Sequence, residues 1–244
     1  MRLLWAHTRS MVLLYLRTPE YITGTLLLPL VLFLFFAVPN ADSSSAANFV
    51  LGSFMVFAVL GVAIFQFGVG IATERSTPWE VYLRTLPLPM SVRTAARFLN
   101  SFLFALLTGL AVLVLALLTT PVSMGAGQWA RFAVAILLGL VPFTLLGIAI
   151  GYSTGPRAAI AVANMLWLPL SFLGGLWVPP DALPSAAAKV SPYLPTRRWG
   201  NIVWDVVRGD PWRLQDWLWL LGYTLLFLVV ALWFYRRDEG QNYV

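Results

Sequence analysis

The sequence contains no cysteine, a single histidine and few charged residues. The absence of cysteine excludes disulfides and thiolate metal sites, and His7 alone argues against a histidine-based dyad or metal cluster. Of the 244 residues, 59% are hydrophobic and only 11% are charged, whereas a soluble domain carries about 25% charged residues. The composition therefore indicates an integral membrane protein and argues against a soluble enzyme. Membrane topology explains the net charge of +6 better than nucleic-acid binding does.

Long apolar runs dominate the rest of the sequence. Six of them contain no Asp, Glu, Lys or Arg, and each is long enough to cross a ~30 Å hydrocarbon core as a helix. They cover residues 21–38, 49–72, 98–120, 132–152, 159–178 and 217–235. The runs are continuous and do not alternate with a period of two, which favours helices over a barrel. We therefore predict an all-α, polytopic membrane fold with six transmembrane helices.

Arginine placement predicts the orientation of these helices. Basic residues are concentrated in alternate connections, as expected on the cytoplasmic side of a membrane. The arginines of these connections are Arg2, Arg9, Arg17, Arg75, Arg84, Arg93, Arg97, Arg157, Arg236 and Arg237. We therefore expect a protein of the cell membrane with both termini in the cytoplasm, and a retained first helix instead of a cleaved signal peptide.

The segment before the last run does not follow the charge rule. Residues 179–216 are predicted to lie outside, although they carry basic and acidic side chains in nearly equal number. Prolines divide the segment into short pieces. Within it, residues 199–207 predict an amphipathic helix at the membrane interface.

Two cytoplasmic segments are predicted to form helices outside the membrane core. Residues 2–17 are basic and amphipathic, which is typical of a helix lying in the membrane surface; a basic lead-in to the first span is the alternative. Residues 77–86 begin with Thr77, Pro78 and Glu80 at the positions of a capping box with an N-terminal proline. Its apolar and aromatic stripe suits either docking to a cytosolic partner or lining the membrane surface.

Motifs for catalysis are missing. Residues 151–155 match the Gly-x-Ser-x-Gly pattern of hydrolases, but His7 is distant in the sequence and no other histidine can act as the base. The only lysine, Lys189, is followed by valine, so there is no phosphate-binding loop. We therefore expect no catalytic, cofactor or metal site on this chain. Gly147 and Gly151 instead have the spacing of a close helix–helix contact.

The predicted spans contain amides but no ionisable residue. Gln66 and Asn164 are the more polar mid-span side chains, and they suit either a hydrogen bond between helices or a substrate path. The absence of ionisable groups argues against a proton relay and a charged ion filter. Together with the abundant aromatic residues, it favours a hydrophobic or amphiphilic cargo over an ion.

Several motifs together resemble the type-2 ABC exporter permeases, which include drug, lipid and polysaccharide exporters. One motif is Glu74-Arg75 followed by WEVYLRTLPLP at residues 79–89. Another is FLGGLWVPP at residues 172–180, with SPYLP at residues 191–195 after it. The layout is also similar to that family, because a surface helix, six spans and a short helix between spans two and three cover essentially the whole chain.

This resemblance implies a single permease domain over residues 1–244, with 77–86 as a coupling helix and 179–213 as short re-entrant helices on the outer side. Two permease chains would pair as a homodimer in the bilayer and engage two copies of a separate ABC ATP-binding subunit, which holds ATP and Mg²⁺. The residues implied in coupling are Glu74, Arg75, Pro78, Trp79, Glu80, Tyr82, Leu83 and Arg84. Candidate substrate-path residues are Gln66, Asn164, Phe172 and Trp177.

The function implied by the resemblance is ATP-driven export of an amphiphilic drug, lipid or glycan-like cargo by alternating access. ATP hydrolysis would take place on the partner subunit, so the chain itself is not expected to be an enzyme. A permease for a haem-type cargo and a six-span scaffold or assembly factor without cargo are the alternatives.

Overall fold

The computed structural model describes residues 26–77 and 90–241, and in these ranges it contains helices and short connections without a strand. The helices are α1 (Leu28–Asn40), α2 (Ser44–Arg75), α3 (Met90–Thr119), α4 (Ala126–Ser153), α5 (Pro156–Leu173), α6 (Ser185–Val190), α7 (Pro195–Arg208) and α8 (Leu214–Gln241). Five of them, α2, α3, α4, α5 and α8, are long and apolar enough to cross a membrane, and α1 is a shorter apolar helix.

This architecture confirms an all-helical, multi-pass fold. The predicted first span, 21–38, begins before the described residues, so the count of six spans stays a prediction. The predicted surface helix 2–17 and nearly all of the predicted helix 77–86 also lie outside the described residues.

Helix α2 is the centre of the bundle. The Ser43 hydroxyl caps its N-terminus by accepting a hydrogen bond from the Ala46 amide at 3.2 Å. Every residue from Leu51 to Ala63 is buried, and the helix contacts α3, α4 and α7. A helix that is apolar on all sides is expected in such a central position. Residues Ile64–Val69 form a π-helical turn within it.

Helices α2 and α4 approach closely at two glycines of α4. A Cβ atom added at Gly147 would lie 2.6 Å from the Ala63 carbonyl oxygen, and one added at Gly151 would lie 2.7 Å from the Phe67 carbonyl oxygen. Only glycine permits backbones to come this near to each other. The close contact predicted from the Gly147–Gly151 spacing is therefore confirmed.

Helix α5 ends earlier than the apolar run that predicted it. The run extends to residue 178, but the helix stops at Leu173, and Gly175 has a φ of +80°. At this turn the Thr196 hydroxyl donates to the Leu170 carbonyl at 2.6 Å. The tertiary contact and the left-handed glycine turn the chain out of the helix, so the predicted boundary is wrong by five residues.

Helix α7 is buried in the protein, whereas the sequence predicted a helix at the membrane interface over residues 199–207. All of these residues are buried, between α2, α4 and α8. The Trp199 indole donates to the Ala135 carbonyl of α4 at 3.0 Å, and the Trp204 indole donates to the Ser53 hydroxyl of α2 at 2.8 Å. These contacts explain why an amphipathic sequence lies inside: its polar side chains find partners within the chain.

Hydrogen bonds show which helix connections lie at the same end of the bundle. Asn48 at the start of α2 donates to the Ser123 carbonyl at 2.7 Å, and Gln128 of α4 donates to the Val206 carbonyl at 3.2 Å. Arg75, at the opposite end of α2 and about 40 Å from Asn48 at 1.5 Å per residue, contacts α4 and α8. The relative placement agrees with the predicted alternation of outer and cytoplasmic connections.

Candidate functional site

The predicted coupling segment follows a junction of three helices. Arg75, the last residue of α2, donates from Nη1 to the carbonyl oxygen of Gly151 at 2.7 Å. Its Nη2 forms an ion pair with Asp238 of α8, and its guanidinium carbon lies 5.3 Å from the centroid of the Tyr152 ring. One side chain thereby joins the ends of α2, α4 and α8. We name these four residues the Arg75 junction.

The chain leaves the Arg75 junction by a tight turn. The hydroxyls of Ser76 and Thr77 donate to the carbonyls of Thr73 and Glu74, each at 2.7 Å. The Thr77 oxygen keeps lone pairs that can accept a hydrogen bond from a following turn, as an N-cap requires. The other predicted coupling residues lie outside the described residues: Pro78, Trp79, Glu80, Tyr82, Leu83 and Arg84.

The two mid-span amides have different surroundings. Gln66 lies in the π-helical turn of α2; it is buried, and its Nε2 atom has no partner within the described ranges. Buried side-chain polar atoms are normally hydrogen-bonded, and π-helical turns are frequent at functional sites. Asn164 of α5 is half-buried and donates to the Ile160 carbonyl of its own helix at 3.0 Å. Among the described residues, Gln66 therefore has an unpartnered donor, whereas Asn164 is satisfied within its own helix.

The two aromatic candidates for the substrate path pack in one cluster. The ring centroids of Phe172 and Trp177 are 6.5 Å apart, and Trp177 also lies 6.3 Å from Phe36 of α1 and 5.6 Å from Phe57 of α2. These four residues form what we call the aromatic cluster. It connects α1 and α2 with the turn that follows α5.

A cavity of about 750 Å³ lies beside this aromatic cluster at the predicted outer end. Phe36 and Trp177 line it together with Phe49, and it also contains two charged side chains, Asp181 and Arg208. The Arg208 guanidinium lies 5.7 Å from the centroid of the Phe49 ring. This outer cavity therefore combines aromatic walls with two charged side chains.

Four of the charged side chains in segment 179–216 pair with one another. Asp216 accepts from Arg198 at 2.9 Å and from Asn201 at 3.1 Å, and Asp205 accepts from Arg213 at 2.9 and 3.0 Å. The hydrogen bond to Asp205 raises the pKa of Arg213 above its ordinary value. Because these arginines are neutralised within the protein, their position says little about which side of the membrane they face.

Sequence reasoning missed two contacts between tryptophan and glycine. Trp167 donates from its indole nitrogen to the Phe57 carbonyl at 3.1 Å, and its ring covers Gly61. Trp199 repeats the arrangement over Gly139. In both cases the covered glycine follows the accepting carbonyl by four residues. A single sequence carries no signal for which tryptophan meets which glycine.

Residues 151–155, which match a hydrolase pattern, form the end of α4 and the turn into α5. The Ser153 hydroxyl donates to the Ile150 carbonyl at 3.1 Å, and His7 lies outside the described residues. Within the described ranges, no group of three His, Cys, Asp or Glu side chains is placed to hold a metal.

An all-helical bundle with several membrane-crossing helices, and with its ion pairs at the helix ends, defines a multi-pass membrane protein. The family model of the ABC-2 type transporter matches residues 2–201, and the chain belongs to this family. The chain is 26% identical over 229 residues to "Putative transport permease YvfS" of Bacillus subtilis (strain 168), a match that covers 92% of this chain and 94% of that protein.

Family membership confirms the resemblance seen in the motifs. It identifies the chain as a membrane permease subunit of an ABC transporter. Permeases of this family are generally not catalytic themselves, and the family implies pairing with an ABC ATP-binding subunit.

Proposed function

We propose that this chain is the permease of an ATP-driven exporter that moves an amphiphilic substrate out of the cell by alternating access. Two copies form the membrane pathway, and each engages one copy of the ATP-binding subunit through residues 77–86. Both termini and the Arg75 junction face the cytoplasm, and residues 179–213 cover the pathway on the outer side. ATP and Mg²⁺ bind to the partner subunits, and no cofactor binds to this chain.

The Arg75 junction is the observation that supports the coupling step. A displacement of residues 77–86 reaches α2 almost directly, since only Ser76 separates Arg75 from this segment. Helices α4 and α8 follow because Arg75 bonds to Gly151 and Asp238. Interfaces that move as rigid units are the usual means of switching between two states. The junction can therefore convert one local push into movement of three helices.

The aromatic cluster and the outer cavity support an amphiphilic cargo. Phe36 and Trp177 offer ring surfaces, while Arg208 and Asp181 offer charges in the same cavity. Large cavities with apolar walls and a few polar groups are typical of small-molecule sites. The apolar runs inside the described spans contain no Asp, Glu, Lys or Arg, which an ion path would use.

Co-expression with an ATP-binding subunit encoded beside this gene tests the coupling assignment. Trp79, Glu80 and Arg84 are replaced together by alanine, and the chain is purified from membranes through a tag on the ATPase. A control variant replaces three exposed outer residues by alanine: Ser185, Lys189 and Asp210. We expect the first variant to lose the ATPase and the control to retain it. Retention of the ATPase by the first variant contradicts the docking of residues 77–86.

Transport itself is tested in vesicles that contain the purified complex. We expect ATP-dependent movement of a fluorescent phospholipid or an amphiphilic dye, and no movement in the variant that lacks coupling. A complex that hydrolyses ATP but moves neither probe at any ATP concentration favours the scaffold alternative.

A further inference from the structure

A pocket of about 360 Å³ lies next to the Arg75 junction at the predicted cytoplasmic end. Helices α2, α4 and α8 end around it, and the turn that starts α5 forms another wall. Its charged and hydroxyl-bearing lining comprises Arg75, Ser76, Tyr152, Ser153, Thr154, Arg237 and Asp238. This composition sets it apart from the apolar grooves between the spans, and it points to a charged ligand.

The charges of this pocket do not cancel. Asp238 is the acidic residue of its lining, and Arg75 neutralises it through their ion pair. Arg237 is exposed, and within the described ranges no carboxylate pairs with it. Arg157, the second residue of α5, adds positive charge beside the same wall. Among the described residues of the lining, the charge of Arg237 therefore remains for an anion.

An aromatic neighbour places Arg237 at the level of lipid headgroups. Its guanidinium carbon lies 5.7 Å from the centroid of the Trp233 ring, and Trp233 is 56% exposed on the surface of the bundle. Tryptophan and tyrosine on membrane helices concentrate at the boundary between hydrocarbon and headgroups, and Tyr235 follows on the same helix. Because its guanidinium contacts Trp233, we expect Arg237 at this boundary, next to the layer that contains lipid phosphates.

We propose that this pocket binds the phosphate of an anionic phospholipid, with Arg237 as the residue that contacts the phosphate. Basic pockets between helices on the cytoplasmic side suit such headgroups, because that leaflet is rich in anionic lipid. The hydroxyls of Ser153 and Thr154 already donate to the Ile150 carbonyl, and Arg75 is bonded to Gly151 and Asp238, so Arg237 carries the recognition. The site is separate from the aromatic cluster of the substrate path. This proposal depends on the proposed function in one respect only: the cytoplasmic orientation of the pocket determines which leaflet supplies the lipid.

Binding of short-chain phosphatidylglycerol and phosphatidylcholine to the purified full chain in a neutral detergent tests the proposal. We expect R237Q to weaken phosphatidylglycerol binding by about fivefold, the effect of losing one basic residue at an anionic surface, and to leave phosphatidylcholine binding unchanged. R236Q is the matched control, since it removes the same charge from the neighbouring residue that does not line the pocket. R237K keeps the charge and should retain most of the binding.

Three results overturn the assignment. Equal losses in R236Q and R237Q show general surface electrostatics, and full binding by R237Q shows that Arg237 does not contact the headgroup. Displacement of the lipid by glycerol 1-phosphate at equal concentration identifies a site for free phosphate esters instead of lipid. A melting curve for each variant separates loss of the site from loss of the fold. No ATP-binding subunit is present, so failure of the transport proposal leaves this result unaffected.

Discussion

The indole nitrogen of Trp199 donates a hydrogen bond to the carbonyl oxygen of Ala135 at 3.0 Å, and the indole ring covers Gly139 one turn further along α4. The same ring stacks on Phe143 with centroids 5.2 Å apart. Trp167 of α5 makes the equivalent contact with α2. Helices α5 and α7 are therefore each attached to a neighbouring helix by a buried indole that lies on a glycine.

Replacing Gly139 by alanine tests this contact. An added Cβ would lie 1.9 Å from the Trp199 indole nitrogen, so the ring must move and its hydrogen bond must break. We expect a loss of about 1–3 kcal/mol in stability, as for other overpacked cores, measured by thermal unfolding in detergent. The control is Gly222→Ala on α8, where an added Cβ meets nothing within 4 Å. Equal melting temperatures for the two variants would show that the close contact of Trp199 with Gly139 does not stabilise the fold.

Replacing Asp216 by asparagine tests the outer ion pairs. Asp216 is buried and bonds to Arg198 and Asn201, so its loss leaves a nearly buried guanidinium without its counter-charge. We expect destabilisation of about 3–5 kcal/mol, the range for breaking one partner out of a buried pair. Asp42→Asn is the control, because Asp42 is exposed. Wild-type stability in Asp216→Asn would show that the outer pairs contribute little to the fold.

The Arg75 junction is tested by a double-mutant cycle. Arg75→Gln and Asp238→Asn should each reduce stability, and the double variant should lose less than the sum because the two side chains act as one pair. The same variants should separate ATP hydrolysis from transport in the assembled complex. Arg236→Gln serves as the control for a general loss of charge at this end. Strict additivity, with full coupling of hydrolysis to transport, would remove the junction from the mechanism.

Single cysteines test the proposed orientation, since the chain contains no cysteine of its own. Cysteines at Ser44 and Ser185 should react with a membrane-impermeant maleimide in intact cells. A cysteine at Ser153 should react only after the membrane is opened. All three positions are exposed, so burial does not limit the reaction. Labelling in the reverse pattern would invert the topology and assign the Arg75 junction to the outside.

The apolar runs predicted the long helices because uninterrupted hydrophobicity at this length has few other solutions in a membrane. Helices α2, α4 and α8 all extend several residues beyond their runs, since capping and ion pairs continue a helix into polar sequence. The end of α5 could not be predicted from hydrophobicity, because the turn after Leu173 is as apolar as the helix before it.

The burial of α7 could not be predicted from its sequence. Its amphipathicity is the same whether its polar face meets water or meets Arg213 through Asp205. Only part of the Arg75 junction could be predicted. The Glu74-Arg75 motif indicates a functional position, but nothing in the sequence relates Arg75 to Asp238, which lies more than one hundred and sixty residues later. Such pairings depend on tertiary packing, which a single sequence does not encode in any local pattern.

Photo-crosslinking from the predicted coupling segment tests the central claim most directly. A photoreactive amino acid is placed at Trp79 or, as a control, at Trp219 near the predicted outer end, in membranes that also contain the ATP-binding subunit. We expect a crosslink to the ATPase from residue 79 and none from residue 219. An ATPase that associates with the chain but crosslinks to residue 219, or to neither residue, would contradict the claim that the ATP-binding subunit docks on residues 77–86, beside the Arg75 junction.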